Sequence, residues 1–114
     1  MAATKANGSL LSAVTTTQTS SAIDVSAHYA DSVYVKIVQV GTATTGASFQ
    51  ILQSPDAGTT YYNGPTFTAG LAAATYYWII AVDPTCQKVE ISFTAQSGGT
   101  SSTCTAQLGE LTGV

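Results

Sequence analysis

The segment KVEISFT, residues 88–94, indicates the fold of this chain more clearly than any other stretch. Val89, Ile91 and Phe93 alternate with polar residues, and a period of two is typical of a β-strand with one buried face. The pattern therefore predicts a strand whose three apolar side chains point into a core, while Lys88 and Glu90 point outward.

Similar strand signals recur on both sides of this segment, about every ten residues, and Gly, Pro, Asn and Asp separate them. Helix signals are nearly absent, because residues 69–74 are too few for a stable helix and residues 26–32 could make one turn at most. The other predicted strands are Ser9–Thr17, Ala22–Val25, Ser32–Val40, Ser48–Gln53, Thr59–Asn63, Thr66–Ala69, Thr75–Val82 and Thr103–Leu111.

The spacing of these strands predicts a single all-β domain over residues 1–114. We expect an antiparallel β-sandwich of jelly-roll or Ig-like type, with seven or eight strands in two sheets and no significant helix. Residues 1–17 are predicted to be an N-terminal arm or an edge strand used in assembly. Strand 32–40 has apolar residues on both faces, Val33 on one and Tyr34 on the other, which favours a central, fully packed position.

Two hairpins are predicted from turn residues. The sequence PDAG at residues 55–58 should join strand 48–53 to strand 59–63, since proline presets φ and glycine accepts a positive φ. A second turn within residues 96–102, at Gly98-Gly99, should join strand 88–94 to strand 103–111.

The second hairpin determines what is expected of the two cysteines. It places Cys104 opposite Phe93, so Cys86 lies about seven residues further along the strand, roughly 23 Å away. A disulfide needs Cα atoms within about 7 Å of each other. We therefore predict two free thiols, with a disulfide as the alternative.

The charge content excludes some classes of function. Only 8% of the residues are charged, against roughly 25% in an average domain. There is no arginine, and Lys5, Lys36 and Lys88 are the basic side chains. Nucleic-acid binding needs clustered Lys or Arg, and so does binding to an anionic membrane, so neither is expected. Ser and Thr supply the polarity instead, which suits a surface that packs against neighbours and is also common in Thr-rich β-proteins.

No constellation of residues indicates an enzyme. His28 lies between Asp24 and Asp31, where it could be a catalytic base or metal ligand, or a polar connector between two strands. The carboxylates are scattered over turns and outward positions: Asp24, Asp31, Asp56, Asp83, Glu90 and Glu110. Two cysteines and one histidine are too few for a structural zinc site. We therefore expect no catalytic residues, no cofactor and no metal.

The aromatic doublets are the best candidates for a binding surface. Tyr61 and Tyr62, and likewise Tyr76 and Tyr77, are neighbours on a strand, so each doublet should place one ring in the core and one outside. The outward rings could insert into a protein neighbour, stack on a sugar or have no role. Tyr and Trp dominate protein interface hot spots, which favours the first reading.

Residues 19–25, with Tyr29 and strand 32–40, form a serine–acidic opening strand followed by a Val/Tyr-rich strand. Residues 49–54 with Asp56, Gly58, Thr59, Tyr61 and Tyr62 form a hairpin pattern in which a turn precedes a Tyr-Tyr pair. Both patterns resemble those of a group of small structural proteins of tailed phages, although the PDAG sequence departs from the usual Asp-Gly spacing. Strands 75–82 and 89–93 and the small-residue ending also fit. The likeness covers roughly residues 18–111.

This resemblance implies a β-sandwich or jelly-roll on the surface of a virus particle, often as trimers at local symmetry axes of the capsid, and no catalytic residues. It predicts a non-enzymatic capsid decoration (cement) protein that binds the major capsid protein or other virion proteins and forms a homo-oligomer, with a trimer favoured. A tail, neck or fibre component is the alternative, followed by a carbohydrate-binding module.

The capsid-facing surface is predicted among residues 2–12 and the outward tyrosines. The interface residues so chosen are Leu10, Leu11, Tyr61, Tyr62 and Tyr77. Residues 1–8 lack the charged start and apolar block of a signal peptide, so we expect synthesis in the host cytoplasm and a final location on the capsid surface of the virion.

Overall fold

The structure is a computed structural model that describes residues 4–98 and 101–113, and within them it is all-β with no helix. Two antiparallel sheets pack face to face, which confirms the predicted β-sandwich. The strands are β1 (Thr4–Val14), β2 (Gln18–Thr19), β3 (Ile23–Asp24), β4 (Ala30–Gln39), β5 (Ser48–Ser54), β6 (Tyr62–Thr68), β7 (Ala74–Ala81), β8 (Lys88–Thr94) and β9 (Ser102–Gly113).

The strand order separates neighbours in sequence. One sheet has four strands in the order β1-β9-β4-β7. The other has the order β2-β8-β5-β6, and β3 continues the β2 edge alongside β8. The strand β9 therefore lies inside the first sheet, between β1 and β4.

The core lies between the two sheets and confirms the alternation in the sequence. Val89, Ile91 and Phe93 on β8 are fully buried, and so are Cys104 and Leu108 on β9. The side chains of β8 face those of β4 across the core, and the side chains of β9 face those of β5. The buried apolar residues of β4 and β5 are Val33, Val35, Ile37, Phe49 and Ile51.

The prediction that β4 is packed on both faces is wrong. Val33 and Val35 are buried, but Tyr34 is 46% exposed and Val40, just beyond the strand, is 52% exposed. A sandwich has two layers, so each sheet buries one face and leaves the other open to its surroundings. The apolar residues on the outer face of β4 are thus surface residues.

The first predicted hairpin is present, and its turn is held by side chains. Asp56 accepts hydrogen bonds from the Ser54 hydroxyl at 2.8 Å and from the Thr60 N–H at 2.7 Å. Ala57 and Gly58 adopt positive φ, 59° and 94°. The return strand β6 begins at Tyr62, and it merges the two short strands predicted over residues 59–69.

The second predicted hairpin is wrong, because β8 and β9 belong to different sheets. The chain crosses between the sheets after Thr94, where Thr45 and Ser97 form an isolated antiparallel bridge, while Gly99 lies outside the described residues. Both cysteines are free, as predicted, and both are buried, although the hairpin register from which free thiols were predicted is not present. Burial raises the pKa of the Cys104 thiol to about 11.

The N-terminal segment forms an edge strand over residues 4–14, and residues 1–3 lie outside the described residues. Its register against β9 shifts at three places, one of them between Ser9 and Leu11. At that shift β1 has one residue more than β9, which is a β-bulge.

Candidate docking surface

The outer face of the four-stranded sheet carries a cluster of exposed apolar side chains. Tyr77 is 72% exposed and Ile79 is 71% exposed, and both lie on the edge strand β7. Tyr34, on the neighbouring strand β4, lies directly opposite Ile79 in the register. Lys36, two residues along β4, lies opposite Tyr77. We call Tyr34, Tyr77 and Ile79 the tyrosine patch.

A glycine on β9 positions the ring of Tyr34. A Cβ atom added to Gly109 would lie 2.6 Å from Cε2 of Tyr34, so the ring occupies the space that any other residue would fill. An aromatic ring over a cross-strand glycine is a recognised way to fill a gap on a sheet surface. The ring is therefore held against the sheet, at less cost in side-chain entropy on docking than a freely rotating side chain would require.

Two depressions flank Tyr34 on the outer face of the sheet. The first, of about 400 Å³, is lined by the tyrosine patch together with Val35, Lys36, Trp78, Thr105 and Gln107. The second, of about 370 Å³, is lined by Lys5, Asp31 and Glu110 together with Ala6, Asn7, Ala30, Ser32, Tyr34, Gly109 and Leu111. The outer face thus offers two largely apolar depressions, one on each side of Tyr34.

His28 is part of a polar connection at the end of this sheet. Its Nδ1 lies 2.8 Å from Asp31 Oδ1, and its Nε2 lies 3.8 Å from Glu110 Oε2. The backbone N–H of Tyr29 donates to the Leu111 carbonyl at 2.7 Å. These contacts join the loop before β4 to β9. Asp24 is not part of the group, because it accepts hydrogen bonds from Ser26 in its own turn, and these lower the pKa of its carboxyl.

Asp56 and Asp83 also serve local turns, whereas Glu90 lies on β8. Asp83 accepts hydrogen bonds from the hydroxyl and the N–H of Thr85, which lower the pKa of its carboxyl. Within the described ranges 4–98 and 101–113, no group of three or more His, Cys, Asp or Glu could hold a metal ion. That same part of the chain has no helix long and apolar enough to cross a membrane.

Two of the predicted interface residues belong to the core. Leu10 is 8% exposed and Leu11 is 4% exposed, so these two leucines do not offer a docking surface. Consecutive residues on a regular strand face opposite sides, but the extra residue in the β1 bulge breaks that alternation and lets both side chains point inward. The prediction for Leu10 and Leu11 is corrected on this point.

The three predicted tyrosines do not share a surface. Tyr61 lies just before β6, where burial and the neighbouring Glu90 of β8 raise the pKa of its hydroxyl. Tyr62 is 64% exposed and lines a depression at one end of the sandwich with Asp83 and Cys86. Of these three tyrosines, Tyr77 is the one that belongs to the tyrosine patch.

The sequence analysis missed Tyr34 and Ile79 as surface residues. The signal was present, because both alternate with residues that are more buried, Tyr34 with Val33 and Val35. Both strands are apolar on each face, however, and a run of this kind does not say which face is covered.

The chain is similar in fold to solved structures, whereas no family model and no curated protein matches it. Among solved structures, the SPBc2 prophage-derived protein YomS is similar with a TM-score of 0.60 and 15% identity, over 97% of this chain and 96% of that one. A chain in the structure of infectious bursal disease virus Gx strain is similar with a TM-score of 0.54 and 16% identity, over 95% of this chain and 32% of that one. The chain shares its β-sandwich fold with a prophage-derived protein and with part of a virus protein.

Proposed function

We propose that this chain is a non-enzymatic structural protein of a phage particle that decorates the capsid by docking onto the major capsid protein. The tyrosine patch is the observation that carries the proposal. Large apolar side chains that are exposed on a sheet face with few charges are typical of a surface that another protein covers. The similarity in fold to a prophage-derived protein supports the proposal that the chain belongs to a phage particle.

The chemistry of the patch fits docking onto a repeated lattice. Tyr34 and Tyr77 offer rings that bury apolar area and still present a hydroxyl, and Lys36 offers one charge to fix orientation. A small patch gives modest affinity on its own. On a lattice the contacts of many copies, or of an oligomer, act together, and the effective concentration raises occupancy without new contacts.

The test is imaging of particles purified with and without this protein. We expect density at regular positions over the shell that is lost when the protein is absent. Density confined to the tail, neck or fibre would retain a structural role in the virion and replace the capsid assignment. No association with particles would contradict the proposal, and sugar binding would then be the function to measure.

A pair of tyrosine variants tests whether the tyrosine patch is the surface that docks. Tyr34→Ser should weaken binding to particles by about 2 kcal/mol, or roughly thirtyfold, if this ring is an interface hot spot. Tyr62→Ser is the matched control, because Tyr62 is also an exposed tyrosine but lies at the end of the sandwich. Equal binding by both variants would show that another face of the protein docks.

A further inference from the structure

The four sheet edges differ in how they are protected against pairing with another strand. Edge strands are usually blunted by short length, charge, proline or bulges. The β1 edge has three register shifts, and β2 and β3 have two residues each. The β6 edge contains Pro65 and a register shift opposite Gln50–Leu52.

The β7 edge has none of these features. It runs for eight residues, ATYYWIIA, without a charge, proline or glycine. Its register against β4 is unbroken from Ser32 opposite Ala81 to Gln39 opposite Ala74. Among residues 4–98 and 101–113, no strand lies on its other side.

The phase of the pairing shows which backbone groups are open on β7. Just beyond the strand, the N–H of Val82 donates to the Asp31 carbonyl at 3.0 Å. Antiparallel pairs alternate between bonded and non-bonded positions, so Trp78 and Ile80 bond to β4. The backbone N–H and C=O groups of Tyr77 and Ile79 therefore point away from the sheet, free to bond another strand.

We propose that a second copy of this chain pairs with β7, strand against antiparallel strand about a two-fold axis, to join two four-stranded sheets into one of eight strands. This inference concerns the free protein and does not rest on the proposed function. It goes beyond it by assigning an interface and a symmetry.

The sequence of β7 is complementary to itself in this arrangement. With the axis beside Trp78, Tyr77 lies opposite Ile79 of the partner subunit, and the pairing extends from Thr75 to Ala81. Both residues of the pair face the outer side of the sheet, so the two faces match. Aromatic residues opposite β-branched ones are favourable cross-strand pairs. The strand β7 carries no charge that this pairing would bury beside the axis.

The β7 edge suits a two-fold dimer better than a ring of three copies. A ring of three would need β7 to bind a different edge of the next copy, and each of the other edges is bulged, short or interrupted by proline. An isologous interface uses β7 on both sides. The resulting dimer would place two tyrosine patches side by side across the axis.

The test is sedimentation equilibrium of the full chain and of two charge variants over a range of concentrations. Tyr77→Lys with Ile79→Lys places like charges opposite each other in both cross-strand pairs. Tyr77→Lys with Ile79→Glu places opposite charges there and is the matched control. We expect the dimer of the first variant to dissociate at least about tenfold more readily than that of the second.

Further outcomes separate this inference from other assemblies. A wild-type protein that is monomeric at all concentrations, a trimer, or equal dissociation constants for the two charge variants would each overturn it. Hydrogen exchange of the wild-type chain gives a second measurement without substitutions. The amides of Tyr77 and Ile79 should become protected as concentration rises, and a lack of change in a dimer would place the interface elsewhere.

Discussion

The burial of the leucine pair on β1 leads to a stability prediction. Leu11→Ala removes three carbon groups from a side chain that is 4% exposed. At about 0.8 kcal/mol for each buried group the transfer loss is about 2.4 kcal/mol, and the cavity adds to it. Because β1 is an edge strand and can relax, we expect a total loss of about 3 kcal/mol. Leu10→Ala should cost nearly as much.

Urea unfolding followed by the fluorescence of Trp78 would measure this loss, since Trp78 packs edge-on against Phe49 at 5.0 Å between ring centroids. Ser12→Ala is the control, because Ser12 is exposed next to Leu11 and the change should stay within about 0.5 kcal/mol. If both leucine variants also stayed within that range at an unchanged m-value, the inward bulge would be refuted and the leucines would lie on the surface.

Three more predictions concern the loops and the thiols. Gly46→Ala should cost about 2–3 kcal/mol of unfolding free energy, because its Cβ would overlap the Ala69 carbonyl oxygen. Gly64→Ala, with 3.1 Å to its nearest atom, should cost less than about 1 kcal/mol in the same urea assay. Asp56→Asn should lower the urea midpoint at neutral pH, since hydrogen bonds from Thr60 and Ser54 lower the pKa of this carboxyl. The difference from wild type should vanish as the pH falls below about 3.9 and through that lowered pKa, where the wild type loses the same contribution. Maleimide labelling of the native protein should reach Cys104 more slowly than Cys86, and unfolding in denaturant should expose both thiols.

Each of these has an outcome that contradicts it. Equal losses for the two glycine variants would mean that the loop before β5 moves freely. A pH-independent difference for Asp56→Asn would assign its effect to shape instead of charge. Fast native labelling of Cys104 would mean that β9 opens readily.

The sequence alone predicted the secondary structure correctly where one face of a strand is clearly polar or a turn has characteristic residues. The alternation in residues 88–94 predicted β8 to the residue, and the PDAG turn predicted the β5–β6 hairpin. In these segments local pattern and turn chemistry agree with the final structure. A strand signal and its inward face are local properties, so one sequence is enough to predict them.

The partner of a strand is not a local property. An inward-facing alternation in β9 is the same whether β9 lies beside β8 or across the core from it, so the hairpin between them was predicted wrongly. The bulge that turns both Leu10 and Leu11 inward depends on one extra residue relative to β9. The exposure of Tyr34 depends on how many layers the fold has. The partner of β9, the β1 bulge and the exposure of Tyr34 all depend on contacts between residues that are far apart in the sequence.

The position of β9 has a consequence for how the protein is made. It lies between β1 and β4, and its residues are synthesised after those of β1 to β8. During synthesis β1 has no partner and β4 lacks one neighbour, so the four-stranded sheet cannot grow strand by strand. Non-local pairing of this kind folds slowly. The nascent chain exposes its apolar faces and the unprotected β7 edge until residues 102–113 have emerged, and such surfaces are prone to aggregation during synthesis.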